Sequence, residues 1–215
     1  MTNKYKHIIW DWNGTILDDV NLSLHIINEL LISEDLPEIT LEKYRDVFTF
    51  PVKDYYTALG LGLHKRSFEE LGQIWIRIYE SRKFDAPLFA PVRNIFNDIA
   101  GLNISQSVLS AYMHDPLAEM IEHYSLTKYF TELTGLDNIY ASGKLELAVE
   151  WKKRNQFAAG EVLFIGDTLH DFEVAKAIDA DCVLIANGHQ SYERLLSSGA
   201  SVLHNHTQLA GFLKK

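Results

Sequence analysis

The sequence predicts an α/β fold: a parallel sheet core with helices on both faces and an all-helical cap inserted after the first strand. Three observations carry this. Short apolar runs read as buried strands, helical spacing fills most of the intervals between them, and from about Val20 to Phe84 helical signals succeed one another with no strand. Repeated strand, loop and helix units imply right-handed crossovers. The expected division is a core of residues 1–19 and 85–215 and a cap of residues 20–84.

His7 to Trp10 is an apolar run closed by Asp11 and then Gly14-Thr15, the pattern of a buried parallel strand ending in a loop. Beyond Asp19, Val20, Leu24, Ile27, Leu30 and Leu31 recur at helical spacing, and Pro37 ends the segment. Helical signals continue through Leu41 to Phe48, Val52 to Leu59 and Phe68 to Tyr79, separated by Pro51 and by Gly60-Leu61-Gly62. A helix from Val92 to about Ala100 leads to the strand run Ser107 to Ser110. Asp115-Pro116 opens another helix, with Asp suited to the cap and Pro to the first turn. Lys144 to Arg154 is helical, Val162 to Ile165 is a strand closed by Gly166-Asp167, and Phe172 to Ile178 is helical again. Cys182 to Ile185 makes a strand, Tyr192 to Leu196 a helix, and Val202-Leu203 an edge strand.

At 215 residues the chain accommodates one domain with a smaller insert, and 47% hydrophobic residues suffice for a core. A formal net charge of −9 argues against a general nucleic-acid-binding surface, which needs clustered cations. The single cysteine, Cys182, excludes an intramolecular disulfide and a cysteine-based zinc site. No signal-peptide or membrane-spanning pattern is legible, so a cytoplasmic protein without membrane partners, a monomer or weak homodimer, is expected.

In such a sheet the ligand lies outside the carboxyl ends of the strands. Asp11, Ser110 and Asp167 each stand at the carboxyl end of an expected strand. Converging carboxylates repel one another unless protonated or bound to a cation. Magnesium answers that need, because it takes one or two carboxylates, waters and a substrate phosphate. Asp11 and Asp167 supply them, with Asp171 nearby. A Gly-Asp pair is by itself usually a turn, and a lone Lys usually a surface residue. Trp12, Trp75 and Trp151 are packing residues on base expectation, and the nine histidines, His170 and His189 among them, show no paired metal-ligand spacing.

Asp11-Trp12-Asn13-Gly14-Thr15, Ser110, Lys144 and Gly166-Asp167-Thr168-Leu169-His170-Asp171 resemble, in order and spacing, the four motifs of the haloacid-dehalogenase-like phosphohydrolases. The helical insert resembles the cap of the phosphoglycolate-phosphatase-like branch, and the core would then be Rossmann-like. The resemblance implies a magnesium-dependent phosphatase of a small, phosphoglycolate-like metabolite, in which Asp11 attacks phosphorus to give an aspartyl-phosphate that water hydrolyses. It implies magnesium on the Asp11 side chain, the Asn13 main-chain carbonyl and Asp167, with Asp171 completing the acidic set or orienting water or Lys144. Ser110 and the backbone at Ala111 would bind phosphate oxygens, Lys144 would add positive charge, and Thr15 would brace the loop. Lys152 and Lys153 are the substitutes for Lys144. Cap residues such as Lys53, Arg77 or His64 would choose the substrate.

The chain departs from the family pattern at three positions. Ala111 stands where Asn often follows the Ser, and Leu145 where Pro often follows the Lys. Most phosphatases of the family carry Asp, an acid and base, where this chain has Asn13. An amide cannot exchange a proton at neutral pH, and such assistance is worth roughly 10²–10⁴-fold in rate. Three readings follow: a good leaving group or a proton from elsewhere in the cap, a weakened enzyme serving as a phosphate-binding or regulatory protein, or deamidation of Asn13 before Gly14. A phosphomutase is a further alternative, disfavoured by the same asparagine.

Overall fold

The computed structural model describes residues 4–63, 65–139 and 143–213, and only the backbone of Ala210. Strand β1 (His7–Trp10) is buried along its whole length, as a parallel strand covered on both faces must be. Helices α1 (Val20–Ser33), α2 (Leu41–Val47), α3 (Val52–Ala58) and α4 (Phe68–Arg82) follow, with no strand between them among the described residues. They share their own apolar cluster, built on Ile27, Leu30, Leu31, Tyr44, Tyr55, Tyr56 and Leu71. A capping box at Ser67 and Glu70 starts α4, each side chain bonding the other's backbone N–H.

Alternation then resumes with α5 (Val92–Gly101), β2 (Ser105–Met113), α6 (His114–His123), β3 (Glu132–Leu136), α7 (Lys144–Arg154), β4 (Val162–Gly166), α8 (Leu169–Ala177), β5 (Asp181–Ile185), α9 (Tyr192–Leu196), β6 (Ser201–Leu203) and α10 (Leu209–Phe212). The six strands among the described residues form one parallel sheet in the order β3-β2-β1-β4-β5-β6. The strand order turns back at β1, whose neighbours are β2 and β4. In a sheet of this kind the crevice beyond the carboxyl ends at such a point is where ligands bind. Core clusters lie on both faces, one including Trp10, Trp12, Phe96 and Ile165, the other Ile9, Trp151, Phe164 and Val174. No helix among the described residues is long and apolar enough to cross a membrane.

Four expectations from the sequence need correction. Strand β3 was not expected, because Glu-Leu-Thr-Gly-Leu at a sheet edge is only partly buried and carries no continuous apolar run. Its Gly135 is required by packing, since a Cβ there would stand 2.7 Å from the backbone of His114. Strand β2 continues past Ser110 to Met113, with its register against β3 slipping between Leu109 and Met113. Helix α6 begins at His114, so Asp115 lies within the first turn rather than at the cap, where its charge still meets the helix dipole. Helix α8 starts at Leu169, one turn before Phe172, because Thr168 caps it.

His7 is buried on β1, between the Ser105 hydroxyl at 2.7 Å from Nδ1 and the Ser107 hydroxyl at 2.8 Å from Nε2, and it stacks on Phe157. Burial pushes this imidazole down to about 4, Glu132 opposing the shift only weakly. An unfolded chain protonates histidine near 6.5, so between those values the unfolded state holds more protons and stability falls as pH falls. We expect unfolding free energy to drop by about 3 kcal/mol from this group between pH 6.5 and pH 4. Urea titrations at stepped pH should show a shallower decline in that window for His7→Gln than for the natural protein.

Candidate active site

The registers Trp10↔Val108 and Trp10↔Ile165 bring the ends of β1, β2 and β4 level. Asp11 follows β1 and is held by its backbone N–H on the Ile165 carbonyl, 2.8 Å away. The loop beyond it is wound around the Trp12 carbonyl, which accepts from Thr15, Ile16 and Leu17. Gly14 sits at φ +72°, where a Cβ would also collide with the Asp167 carboxylate and the His189 ring. Thr15 donates to Asp167 Oδ1 at 2.9 Å, and the backbone N–H of His189 donates to Oδ2 at 2.6 Å. Asp167 is therefore fixed from two loops.

Thr168 and Asp171 form a capping box at the start of α8. Asp171 Oδ2 accepts from the Thr168 hydroxyl at 2.7 Å and from the N–H groups of Thr168 and Asp167 at 2.9 and 3.2 Å. Its Oδ1 accepts from Lys144 Nζ at 2.6 Å, and the same ammonium donates to Asp11 Oδ1 at 2.5 Å. Lys144, the first residue of α7, is buried in this bridge rather than solvated. No described residue donates to Asp11 Oδ2. Lys152 and Lys153 do not reach the site: Lys152 bonds the Phe157 carbonyl, and Lys153 is exposed. Ser110 and Ala111 line the same cavity as Asp11, in the segment where β2 slips register. The Ser110 hydroxyl accepts from the Tyr112 N–H at 3.1 Å and keeps its own proton to donate.

One oxygen from each of Asp11, Asp167 and Asp171 lies within 4.8 Å of the others. Burial pushes the Asp11 carboxyl well up, Lys144 pulling against it and Asp171 and Asp167 adding to it. Burial and Asp171 bring Asp167 up to about 6, against the pull of His189. Asp171 instead lies low, because Lys144 and the Thr168 bonds override its burial. Lys144 is raised by Asp11 and Asp171 despite burial. With Asp19 added, four carboxylates face two cations, Lys144 and His189, a surplus of two negative charges when all are ionised. One hard divalent cation on oxygen donors matches that surplus, and magnesium fits the donor set.

Four residues of the site were not foreseen. Asn13 turns its amide to Asp19 Oδ2 at 2.8 Å and to the Tyr79 hydroxyl at 2.6 Å, and Tyr79 donates to the same Asp19 oxygen at 2.9 Å. His189 Nε2 lies 3.3 Å from Asp19 Oδ1, and its Nδ1 meets the Tyr44 hydroxyl at 2.9 Å. Burial opposes charge on His189, but Asp19, Asp167 and Asp11 raise it to about 9. Asp19 is held below the usual carboxylate range, His189 and the Asn13 and Tyr79 bonds outweighing its burial. The strand-end rule applied to β5 would have pointed to the Gly188-His189 loop. Asp19, Tyr44 and Tyr79 had no sequence signal beyond helical position.

Above the carboxylates a cavity of about 150 Å³ extends between the sheet end and the helical unit, its wall including Phe48, Phe50, Tyr55, Trp75, Tyr79 and Tyr112. Trp12 and Trp151 pack inside the core, whereas Trp75 is half-buried, faces this cavity and stacks on Tyr79. Lys53 and Arg77 are exposed and take no part in the lining, and His64 lies outside the described residues.

A family model described as haloacid dehalogenase-like hydrolase matches residues 8–185. The chain belongs to that family. It is 22% identical over 219 residues to a phosphoglycolate phosphatase of Photobacterium profundum, covering 97% of this chain and 96% of the relative. A haloacid dehalogenase-like hydrolase from Streptococcus pneumoniae superposes with a TM-score of 0.81 at 16% identity, over 97% of this chain and 98% of that one. Protein tyrosine kinase A of Mycobacterium tuberculosis does so at 0.81 and 17%, over 98% and 99%. Likeness at such identity shows the shared fold.

Removing one partner of a buried ion pair leaves the other charge uncompensated, at a cost of about 3–5 kcal/mol. Lys144→Met, which strands both Asp11 and Asp171, should lose about that much stability in urea at neutral pH with chelator present. A loss under about 1 kcal/mol would mean that the cluster does not rely on this cation.

Proposed function

We propose that this hydrolase is a magnesium-dependent phosphatase that takes the phosphoryl group of a small phosphorylated metabolite onto Asp11. The observation that carries the reading is the Oδ2 of Asp11, unpaired among the described residues, beside Lys144 and two further carboxylates at the sheet's switch point. Phosphoglycolate enters as the first candidate substrate because relatives 22% and 23% identical to this chain are phosphoglycolate phosphatases.

Magnesium on Asp11, the Asn13 main-chain carbonyl and Asp167 would supply positive charge against the phosphoryl oxygens. Lys144 keeps Asp11 oriented and favours its ionised form, the form able to attack. Ser110 donates its free hydroxyl proton to a phosphoryl oxygen, joined by backbone N–H groups around Ala111. Asp171 positions Lys144 and anchors α8, its two oxygens being engaged in those tasks. Thr15 and the His189 backbone hold Asp167. Residues 20–84 act as a cap over residues 1–19 and 85–215, excluding water while phosphate is transferred. The acidic balance of the chain and its single cysteine support a cytoplasmic enzyme acting on a small molecule.

Asn13 neither gives nor takes a proton, so a leaving group that departs unassisted suits this site best. A second reading, a phosphate-binding or regulatory protein with little turnover, is favoured by the ties of the Asn13 amide to Asp19 and Tyr79. Turnover of p-nitrophenyl phosphate and acetyl phosphate separates the two. The natural protein should release phosphate from acetyl phosphate with magnesium and not with chelator, and Asp11→Asn should abolish release from both compounds. Asn13→Asp should raise p-nitrophenyl phosphate turnover by roughly 10²-fold, and acetyl phosphate turnover less. Full activity in Asp11→Asn would remove the proposed nucleophile, and activity appearing only in Asn13→Asp would favour the second reading.

A further inference from the structure

We propose that the ligand's organic moiety is an uncharged aromatic or arylalkyl group seated in the cavity above Asp11, in place of a small anionic group such as glycolate. The inference rests on the phosphatase reading for what lies at the cavity floor, and it deepens that reading by naming the class of ester.

The first observation is the wall. Phe48, Phe50, Tyr55, Trp75, Tyr79 and Tyr112 come from α3, α4, β2 and the α2–α3 connection and face one space. The pocket, carboxylate floor included, measures about 150 Å³, which limits the occupant to a compact group. Rings of this kind offer faces and edges to another ring, and the Trp75–Tyr79 pair already stacks at 4.8 Å between centroids.

The second observation is charge. Lys144 is the only Lys or Arg among the described lining residues, and it is held between Asp11 and Asp171. His189 is paired with Asp19. A carboxylate on the ligand's organic part would lie among aromatic rings, near Asp11, Asp19 and Asp171, with no unpaired cation among the described lining residues to meet it. The phosphate itself is served by the floor, where Ser110 and Lys144 are found. The third observation is a single polar atom: the Tyr55 hydroxyl, in the wall of the same cavity, is buried and has no hydrogen-bond partner among the described residues. A small rotation of the Tyr55 ring on binding would let a hydroxyl, ether or carbonyl on the occupant satisfy it.

Calorimetry with the Asp11→Asn variant and magnesium reads binding without turnover, using phenyl phosphate, phosphoglycolate and inorganic phosphate. Phenyl phosphate should bind at least about tenfold tighter than either of the others, which corresponds to about 1.4 kcal/mol. Trp75→Ala should weaken phenyl phosphate at least about threefold and leave inorganic phosphate unchanged, as loss of one ring contact requires. Val52→Arg, which places a cation in the half-buried wall, should reverse the preference toward phosphoglycolate. Phosphoglycolate binding as tightly as phenyl phosphate, or phenyl phosphate binding no tighter than inorganic phosphate, would overturn the proposal. Should Asp11→Asn fail to fold, benzylphosphonate against carboxyethylphosphonate with the natural protein gives the same comparison. Tight phenyl phosphate binding without hydrolysis by the natural protein would count against the phosphatase reading and support the occupant. Hydrolysis of phosphoglycolate in preference to phenyl phosphate would do the reverse.

Discussion

A buried ammonium between two buried carboxylates is the contact on which the site depends. Lys144 bridges Asp11 and Asp171, and its charge favours the ionised form of both in a dry crevice. The bridge also ties three parts of the fold together: the end of β1, the first residue of α7 and the first turn of α8. Asp171 extends the connection by capping α8, so the start of that helix and the orientation of the nucleophile share one side chain. A parallel sheet brings these ends level. The charges then decide which side chains can occupy them.

A second set of contacts joins the helical unit to the same place. Tyr79 on α4 reaches Asn13 and Asp19, and Tyr44 on α2 reaches His189. Arg45 adds bonds to the carbonyls of Asn187 and Gly188, and Gln190 one to the carbonyl of Phe48. Asn13, where most phosphatases of the family carry aspartate, is thus a joint as well as a chemical substitution. Asn13 offers two N–H groups to acceptors from α4 and the start of α1, where an ionised aspartate would repel Asp19.

Much of the core was legible because β1, β4 and β5 are buried on both faces, which forces near-continuous apolar runs ending in polar loops. Asp11 and Asp167 could be placed for the same reason, since each follows or closes such a run, whereas Lys144, at the start of α7, was reached through the family resemblance alone. Strand β3 was not legible because an edge strand has weak patterning, and its position depends on Gly135 meeting the backbone of His114. Asp19, Tyr44, Tyr79 and His189 were hidden by a different cause. Their partners lie 60 or more residues away, or, for Asn13 and Asp19, across a loop that local periodicity does not describe. The cavity is likewise a product of packing between two separately legible groups of helices and strands.

Phe50, Val52 and Trp75 stand in the cavity wall, only half-buried, and their side chains make no ion pair or hydrogen bond with the charged cluster among the described residues. The electrostatic frame therefore places no demand on what these three positions carry. Descendants of this sequence can drift in what they admit while the Lys144 bridge stays intact. Conversely, a change at Asp171 or His189 disturbs the frame whatever the wall contains. Variation within such a lineage should accordingly concentrate on the wall long before it reaches the floor.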